Sequence, residues 1–154
     1  NEYSLQLSDM YCRKMDNLTS EAEINALIVT MSIDYCNKVK TIKAQENYSH
    51  YTKIAIEYIR NHLYEKVRID DLTFEVSLNQ RSLSIYFKKD TGLSIPDYIT
   101  QRKLDEAKIL LKTTNYSISE ISEMLSFSSQ SYFGKRYKEY LGSTPQKYRD
   151  SLIE

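Results

Sequence analysis

Two stretches of the chain carry basic, amide and hydroxyl side chains at helical spacing, and neither stretch includes an acid. The first comprises Gln80, Arg81, Ser84, Ile85, Lys88 and Lys89. The second comprises Ser129, Gln130, Ser131, Lys135, Arg136 and Lys138. Cations neutralise the phosphates of nucleic acids, and amides, hydroxyls and basic groups can hydrogen-bond base edges in a major groove. Both stretches therefore have the side-chain chemistry of a DNA-binding surface.

The two stretches occupy matching places in an internal repeat. Four apolar positions, Ile69, Leu72, Val76 and Leu78, recur 49 residues later as Ile118, Ile121, Leu125 and Phe127. Five further positions, Leu83, Phe87, Lys88, Gly92 and Tyr98, recur 50 residues later as Phe133, Tyr137, Lys138, Gly142 and Tyr148. The change of offset places one inserted residue in the loop before the second helix. The repeat predicts a duplicated helix-turn-helix unit over about 69–92 and 118–142.

Each unit is predicted to contain a short helix, a tight turn at Ser77 or Ser126, and a second helix that ends at Gly92 or Gly142. The expected N-caps are Asp70 and Ser119 for the first helices, and Asn79 and Ser128 for the second. Within the second helices, Leu83 with Phe87 and Phe133 with Tyr137 lie four residues apart and share a face. That face is expected in the core, which leaves the basic and polar stretches exposed.

A single basic helical face is usually a solvated surface, but its recurrence at matched positions of two helix-turn-helix units favours DNA binding. An enzyme is disfavoured, because the sequence has no Gly-rich phosphate loop, nucleophile elbow or metal-spaced set of ligands. No cofactor is expected. The alternative function is a helical protein–protein interaction module that uses the fourteen tyrosines as an adhesive surface.

A long helix is predicted between the units, where Ile99, Leu104, Ala107 and Leu110 fall at helical spacing and Pro96 suits the first turn. About 18 helical residues span roughly 27 Å. A rigid helix of that length would hold the two second helices about one DNA turn apart, on one face of the duplex.

The segment 1–48 is predicted to be helical over about 3–15 and again from Thr19 or Ser20, where Ser20 and Glu23 have the spacing of a capping box. The second helix carries an apolar stripe of Ile24, Ile28, Met31, Tyr35, Val39 and Ile42. Two interpretations stay open: the stripe packs within its own domain, or the helix over 20–43 is a linker or dimer helix. Because the chain begins with Asn1, we expect a connector from a truncated upstream sensor domain. A further helix is expected from about Tyr51 to near Lys66.

The composition excludes some classes without identifying a partner. The formal net charge is zero, with 27% charged and 41% hydrophobic residues, as in an ordinary globular domain. No apolar run approaches the roughly 18 to 20 residues of a membrane span. The two cysteines, Cys12 and Cys36, have no CxxC spacing and are expected to be free thiols in a reducing cytoplasm.

The stretch from Phe127 to Arg149 resembles the DNA-binding domain of the AraC/XylS family of bacterial transcription regulators. The most specific matches are Phe127, Ser131-Tyr132-Phe133, Tyr137-Lys138, Gly142, Thr144-Pro145 and Tyr148-Arg149. "FKKDTG", "YITQRKLDEAKILL" and "SISEIS" extend the resemblance over about residues 51–150. It implies an all-α domain over 49–154, with two helix-turn-helix units joined by a long central helix and preceded by connector helices.

The resemblance also implies contacts to double-stranded DNA from the second helix of each unit. Carried over by position, the base contacts are Arg81, Ser84, Ile85, Gln130, Ser131 and Lys135, and the phosphate contacts are Lys88, Lys89, Arg136 and Lys138. RNA polymerase is an expected partner, and a homodimer would form through helix 20–43 or an upstream domain. The chain departs from the family at Ser126, usually glycine, and at Ile85, where a polar residue is common; Ile85 would touch a thymine methyl.

Overall fold

The computed structural model describes residues 2–15 and 20–152, and helices are the only regular secondary structure in these ranges. The chain forms two compact units, Asn1–Asn47 and Tyr48–Glu154. The helices are α1 Glu2–Met15, α2 Glu21–Glu46, α3 His50–Asn61, α4 Ile69–Val76, α5 Gln80–Thr91, α6 Ile95–Thr113, α7 Ile118–Met124, α8 Gln130–Leu141 and α9 Pro145–Asp150. The prediction of an all-α fold with two helix-turn-helix units and a long helix between them is confirmed. None of the helices within 2–15 and 20–152 has the length and apolarity needed to cross a membrane.

In the first compact unit, Asn1–Asn47, α1 packs against α2. Tyr11 of α1 is buried, and its hydroxyl donates a hydrogen bond to Asp34 of α2. The backbone N–H of Ser20 donates to the Glu23 carboxylate at 3.3 Å, as the capping spacing predicts. Much of the predicted stripe on α2 is exposed, with Ile28 retaining 48% of its accessible surface. Ile24 and Val39 are also exposed, whereas the side chain of Ile42 lies outside those that the structure describes.

The second compact unit, Tyr48–Glu154, has two apolar clusters, one for each helix-turn-helix unit. The first contains Ala55, Ile59, Leu72, Val76, Leu83, Phe87 and Ile95. The second contains Leu104, Ala107, Leu110, Leu111, Ile121, Leu125, Phe133 and Tyr137. Repeated positions thus fill equivalent places. Helix α6 joins the two clusters, because its first residue, Ile95, packs in one cluster and its later turns pack in the other.

The N-caps differ from the prediction in three of four places. Helix α4 is capped at Arg68, whose backbone N–H donates to the Asp71 carboxylate at 2.9 Å, so Asp70 lies inside the helix. Helix α7 begins after Ser117 rather than at Ser119, and Ser117 forms a reciprocal capping box with Glu120. A capping oxygen must lie three residues before the N–H that it accepts, and Ser117 satisfies this spacing with Glu120.

The second helices also differ from each other at their caps. Asn79 caps α5 as predicted, with its side-chain oxygen 2.9 Å from the backbone nitrogen of Ser82. The cap of α8 is Ser129 and not Ser128, with Oγ 3.1 Å from the backbone nitrogen of Tyr132. The inserted residue of the second unit precedes the cap, so Ser129 is the equivalent of Asn79. Ser129 therefore caps the helix, although its side chain is exposed.

Three other local features were predicted with different success. Helix α3 ends at Asn61 and not near Lys66, because the N–H of His62 closes the last turn on the Tyr58 carbonyl and the chain then turns at Glu65. Gly92 and Gly142 end α5 and α8 with φ of 75° and 80°, as expected. Ser77 and Ser126 also adopt positive φ, 51° and 53°. This conformation costs a non-glycine residue about 1 kcal/mol.

Candidate nucleic-acid interface

Helix α5 presents its polar stretch to solvent because its apolar residues are fixed in the first cluster. Leu83 and Phe87 are fully buried, and Phe87 also contacts Tyr98 of α6 edge to face, with ring centroids 5.2 Å apart. This anchoring turns the opposite side outward. The resulting first outward face consists of Gln80, Arg81, Ser84, Ile85, Lys88 and Lys89, all exposed.

Helix α8 is held in the same manner. Phe133 and Tyr137 are fully buried, and their rings contact Phe127 and Tyr148 respectively. The second outward face consists of Gln130, Ser131, Lys135 and Lys138, all exposed. Each outward face therefore lies opposite two buried side chains, Leu83 and Phe87 in α5 and the equivalent Phe133 and Tyr137 in α8.

Arg136 of α8 lies outside the second outward face. Its guanidinium is 3.0 Å from the Glu139 carboxylate and 3.6 Å from the Asp97 carboxylate at the start of α6. Its side chain is only one-third exposed. The equivalent position of the first unit is Tyr86, so the ion pairs belong to the second unit alone. Arg136 connects α8 to α6 and is already engaged by two carboxylates.

The acids of α5 and α8 are directed away from the outward faces. Asp90 of α5 accepts the backbone N–H of Ser49 at 2.9 Å, and Glu139 of α8 pairs with Arg136. Burial would raise the pKa of Asp90, but hydrogen bonds from Thr52 and Ser49 and the nearby charge of Lys89 lower it below its usual value. These carboxylates therefore have partners inside the domain, and the outward faces keep a positive charge.

The remaining acids of the two units lie on the preceding helices. Asp70 and Glu75 are exposed on α4, and Glu120 and Glu123 are exposed on α7. A chain with no net charge thus separates its charges by helix. Cationic second helices attract phosphates, whereas the acidic helices would repel them at short range.

Lys103 links the two units from within α6. Its side chain is buried, and Nζ donates to the Glu65 carbonyl and to the Leu125 carbonyl, each at 2.8 Å. Glu65 belongs to the connection before the first unit, whereas Leu125 lies at the turn of the second. The hydroxyl of Ser126 donates to the Tyr64 carbonyl at 2.8 Å and adds a second link. Burial lowers the pKa of Lys103.

These contacts fix how the two outward faces are held. Helix α6 has 19 residues, one more than predicted, and is about 28 Å long at 1.5 Å per residue. Ser94 caps it, which was not predicted, and Pro96 stands in its first turn, as expected. Because both clusters and the Lys103 hydrogen bonds attach to this helix, α5 and α8 are carried on one rigid support.

Sequence reasoning missed two residues at or behind the outward faces. Lys103 lies four residues from both Ile99 and Ala107, on an apolar face, and this spacing signals its burial. Gly134 lies within α8 next to Lys135, and a glycine inside a helical pattern is itself unusual. The pair of Arg136 with Glu139 has the i,i+3 spacing of a helical ion pair, whereas its pair with Asp97 had no signal in the sequence because Asp97 is distant along the chain.

Comparisons with known proteins agree with this geometry. A helix-turn-helix domain family matches residues 72–151. The xylose operon regulatory protein of Escherichia coli K12 is 36% identical over 96 residues, which cover 62% of this chain and 24% of the regulator. The transcriptional activator AarP of Providencia stuartii is 34% identical over 92 residues, covering 60% of this chain and 68% of AarP. The chain thus matches about a quarter of the length of the xylose regulator.

Solved structures show the same arrangement. A transcriptional regulator with an AraC-type DNA-binding domain from Chromobacterium violaceum superposes with a TM-score of 0.64. It is 26% identical, and the match covers 68% of this chain and 93% of that one. The match has the extent expected for the second unit, Tyr48–Glu154.

Proposed function

The chain belongs to the AraC/XylS family of transcription regulators, and from this membership we propose that it binds double-stranded DNA sequence-specifically as a bacterial transcription regulator. In this proposal α5 and α8 enter successive major grooves on one side of the duplex. The observation that carries it is the pair of outward faces, cationic and free of acids, held by buried residues on the two ends of α6. One polypeptide then supplies the two recognition helices that dimeric regulators supply from two chains.

The proposed base contacts lie on the outward faces: Arg81, Ser84, Ile85, Gln130, Ser131 and Lys135. Their exposure and their helical spacing support this role. Gln130 and Lys135 can each donate to purine edges, and Ile85, which keeps 59% of its surface exposed, offers an apolar contact for a thymine methyl. The second unit therefore supplies more hydrogen-bonding specificity than the first.

The proposed phosphate contacts are Lys88, Lys89 and Lys138. All three are exposed near the C-terminal ends of α5 and α8, where a flexible ammonium can reach the DNA backbone beside the groove. Arg136 was predicted with them, but its ion pairs with Glu139 and Asp97 favour a role in holding α8 against α6. A phosphate contact from Arg136 would require those pairs to open.

Partners other than DNA follow from the regulatory role. We propose RNA polymerase as the protein that responds to binding, and the cytoplasm as the compartment where chromosomal DNA is reached. A homodimer through α2 is also proposed, since Ile24, Ile28 and Val39 expose apolar surface along one long helix. Such a stripe at steps of three and four suits helix pairing.

The test is a selection of duplexes from a random pool, followed by fluorescence anisotropy with the selected site and a scrambled one. We expect preference for the selected site of at least about 1,000-fold and a steep fall of affinity with salt. The alternative, a helical interaction module without DNA recognition, predicts no enriched sequence and no salt-dependent binding. Heparin retention without sequence enrichment would likewise contradict the proposal.

A further inference from the structure

One of the three glycines in the chain has no role in the backbone conformation. Gly92 and Gly142 have positive φ and end helices. Gly134 lies inside α8, four residues after its first residue, Gln130. Glycine is the least favourable helix residue after proline, because it loses the most backbone freedom on folding. Its presence there makes α8 less stable than alanine would.

No contact within the domain requires this glycine. A Cβ atom built at position 134 meets no heavy atom within 4 Å outside its own helix backbone. Close packing against another helix, which is a common reason for a glycine within a helix, is therefore absent at this position. An alanine or a serine would fit the folded domain without displacing a neighbour.

Gly134 lies on the second outward face, among the side chains proposed to contact DNA. Gln130 precedes it by four residues, Ser131 precedes it by three, and Lys138 follows by four, so all share one side of α8. In the first unit the equivalent position, 50 residues earlier, is Ser84. The second outward face therefore has a gap in its side-chain layer where the first has a side chain.

We infer that Gly134 is a point of close approach between the α8 backbone and the floor of the major groove, and that it is a specificity determinant of the second unit. Without a Cβ, the helix can lie closer to the base edges, which brings the shorter side chains Gln130 and Ser131 within hydrogen-bonding reach. A side chain at 134 would hold the helix away from the bases. The inference rests on the proposed function and adds to it a residue that bears no side-chain chemistry.

The experiment compares wild type with Gly134→Ala, using thermal unfolding and anisotropy titration of the whole 154-residue chain. Gly134→Ala should raise Tm by about 4 °C, since alanine is the better helix former and meets no neighbour. It should weaken binding to the selected duplex by roughly tenfold, the loss expected when one base contact is disturbed. Binding to a scrambled duplex should not change. Gly134→Ser, which copies the residue of the first unit, should also weaken specific binding.

Gly142→Ala is the matched control, because it makes the same change at the C-cap of the same helix, where φ is 80° and where a Cβ also meets no atom within 4 Å. It should lower Tm, because alanine is strained there, and leave affinity unchanged at a temperature where the variant is folded. The inference is overturned if Gly134→Ala binds the selected duplex as tightly as wild type, or if it lowers Tm. A wild-type chain without sequence preference would overturn the proposed function as well, so the two failures are distinguished by the wild-type titration.

Discussion

Replacement of Lys103 by methionine tests whether the two units are coupled through α6. Methionine keeps the length and apolar stem of the lysine but cannot donate to the carbonyls of Glu65 and Leu125, each now 2.8 Å from Nζ. In this variant the Glu65 carbonyl still accepts a hydrogen bond from the backbone N–H of Val67 at 3.2 Å. Most of the lost stability therefore comes from the Leu125 carbonyl, which loses its hydrogen bond from Lys103.

The expected magnitude is the difference of two opposing effects. Each hydrogen bond from a charged donor contributes about 1.5–3 kcal/mol. Removal of a buried ammonium returns part of its desolvation penalty. We therefore expect Lys103→Met to lower the free energy of unfolding by about 2 kcal/mol, which is a fall in Tm on the order of 10 °C for a domain of this size.

The assay is urea unfolding followed by circular dichroism, with Lys112→Met as the control on the exposed C-terminal turn of the same helix. The control should change stability by less than about 0.5 kcal/mol. Since burial lowers the pKa of Lys103 below 10.5, the native state loses this proton before the unfolded chain does as pH rises. Wild type should then gain stability over Lys103→Met as pH rises toward 10.5. Equal stability of wild type and Lys103→Met at neutral pH would refute the proposed coupling of the two helix-turn-helix units.

Three further predictions concern the outward faces and the second core. Gln130→Ala or Lys135→Ala should weaken binding to the selected site by roughly 1–3 kcal/mol and spare scrambled DNA, as measured by anisotropy on both duplexes. Lys88→Ala should weaken binding to both duplexes alike and lower the slope of log affinity against log salt by about one. If Gln130→Ala and Lys135→Ala behave as Lys88→Ala does on both duplexes, the base contacts are misassigned. Tyr137→Phe should stabilise the domain by about 1 kcal/mol in thermal unfolding, because the buried Tyr137 hydroxyl has no hydrogen-bond partner among the residues that the structure describes. Burial, with Tyr148 nearby, raises the pKa of Tyr137, so the unfolded chain loses this proton at a lower pH than the folded domain does. Wild type should therefore lose stability relative to Tyr137→Phe above about pH 10. A parallel pH dependence of the two proteins would contradict this reasoning.

The repeat made the cores predictable, because apolar residues at matching spacing must occupy equivalent places. Leu83, Phe87, Phe133 and Tyr137 were expected to be buried, and all four are fully buried. The repeat also predicted a turn at Ser126, and the resemblance to a family that usually has glycine at this position indicated its positive φ. Periodicity carries this information because burial of a helical face depends on local spacing.

The N-caps and the ion pairs were less predictable. Several residues near each helix start can cap it, and the choice between Ser117 and Ser119 depends on where Glu120 can reach back. The Arg136 pair with Asp97 joins residues 39 positions apart, which helical spacing cannot reveal. The proposed contact residues were predicted as exposed positions of the second helices, but their partners on DNA depend on a complex that sequence alone does not define.

The spacing of the two recognition helices on DNA is the most direct test of the central claim. Methylation interference and hydroxyl-radical footprinting on the selected duplex locate major-groove contacts and backbone contacts at single-nucleotide resolution. We predict two patches of guanine interference about one helical turn apart, on the same side of the duplex, and loss of the patch assigned to α8 in the Gln130→Ala variant. A single patch, two patches on opposite sides of the duplex, or protection confined to the minor groove would contradict the account.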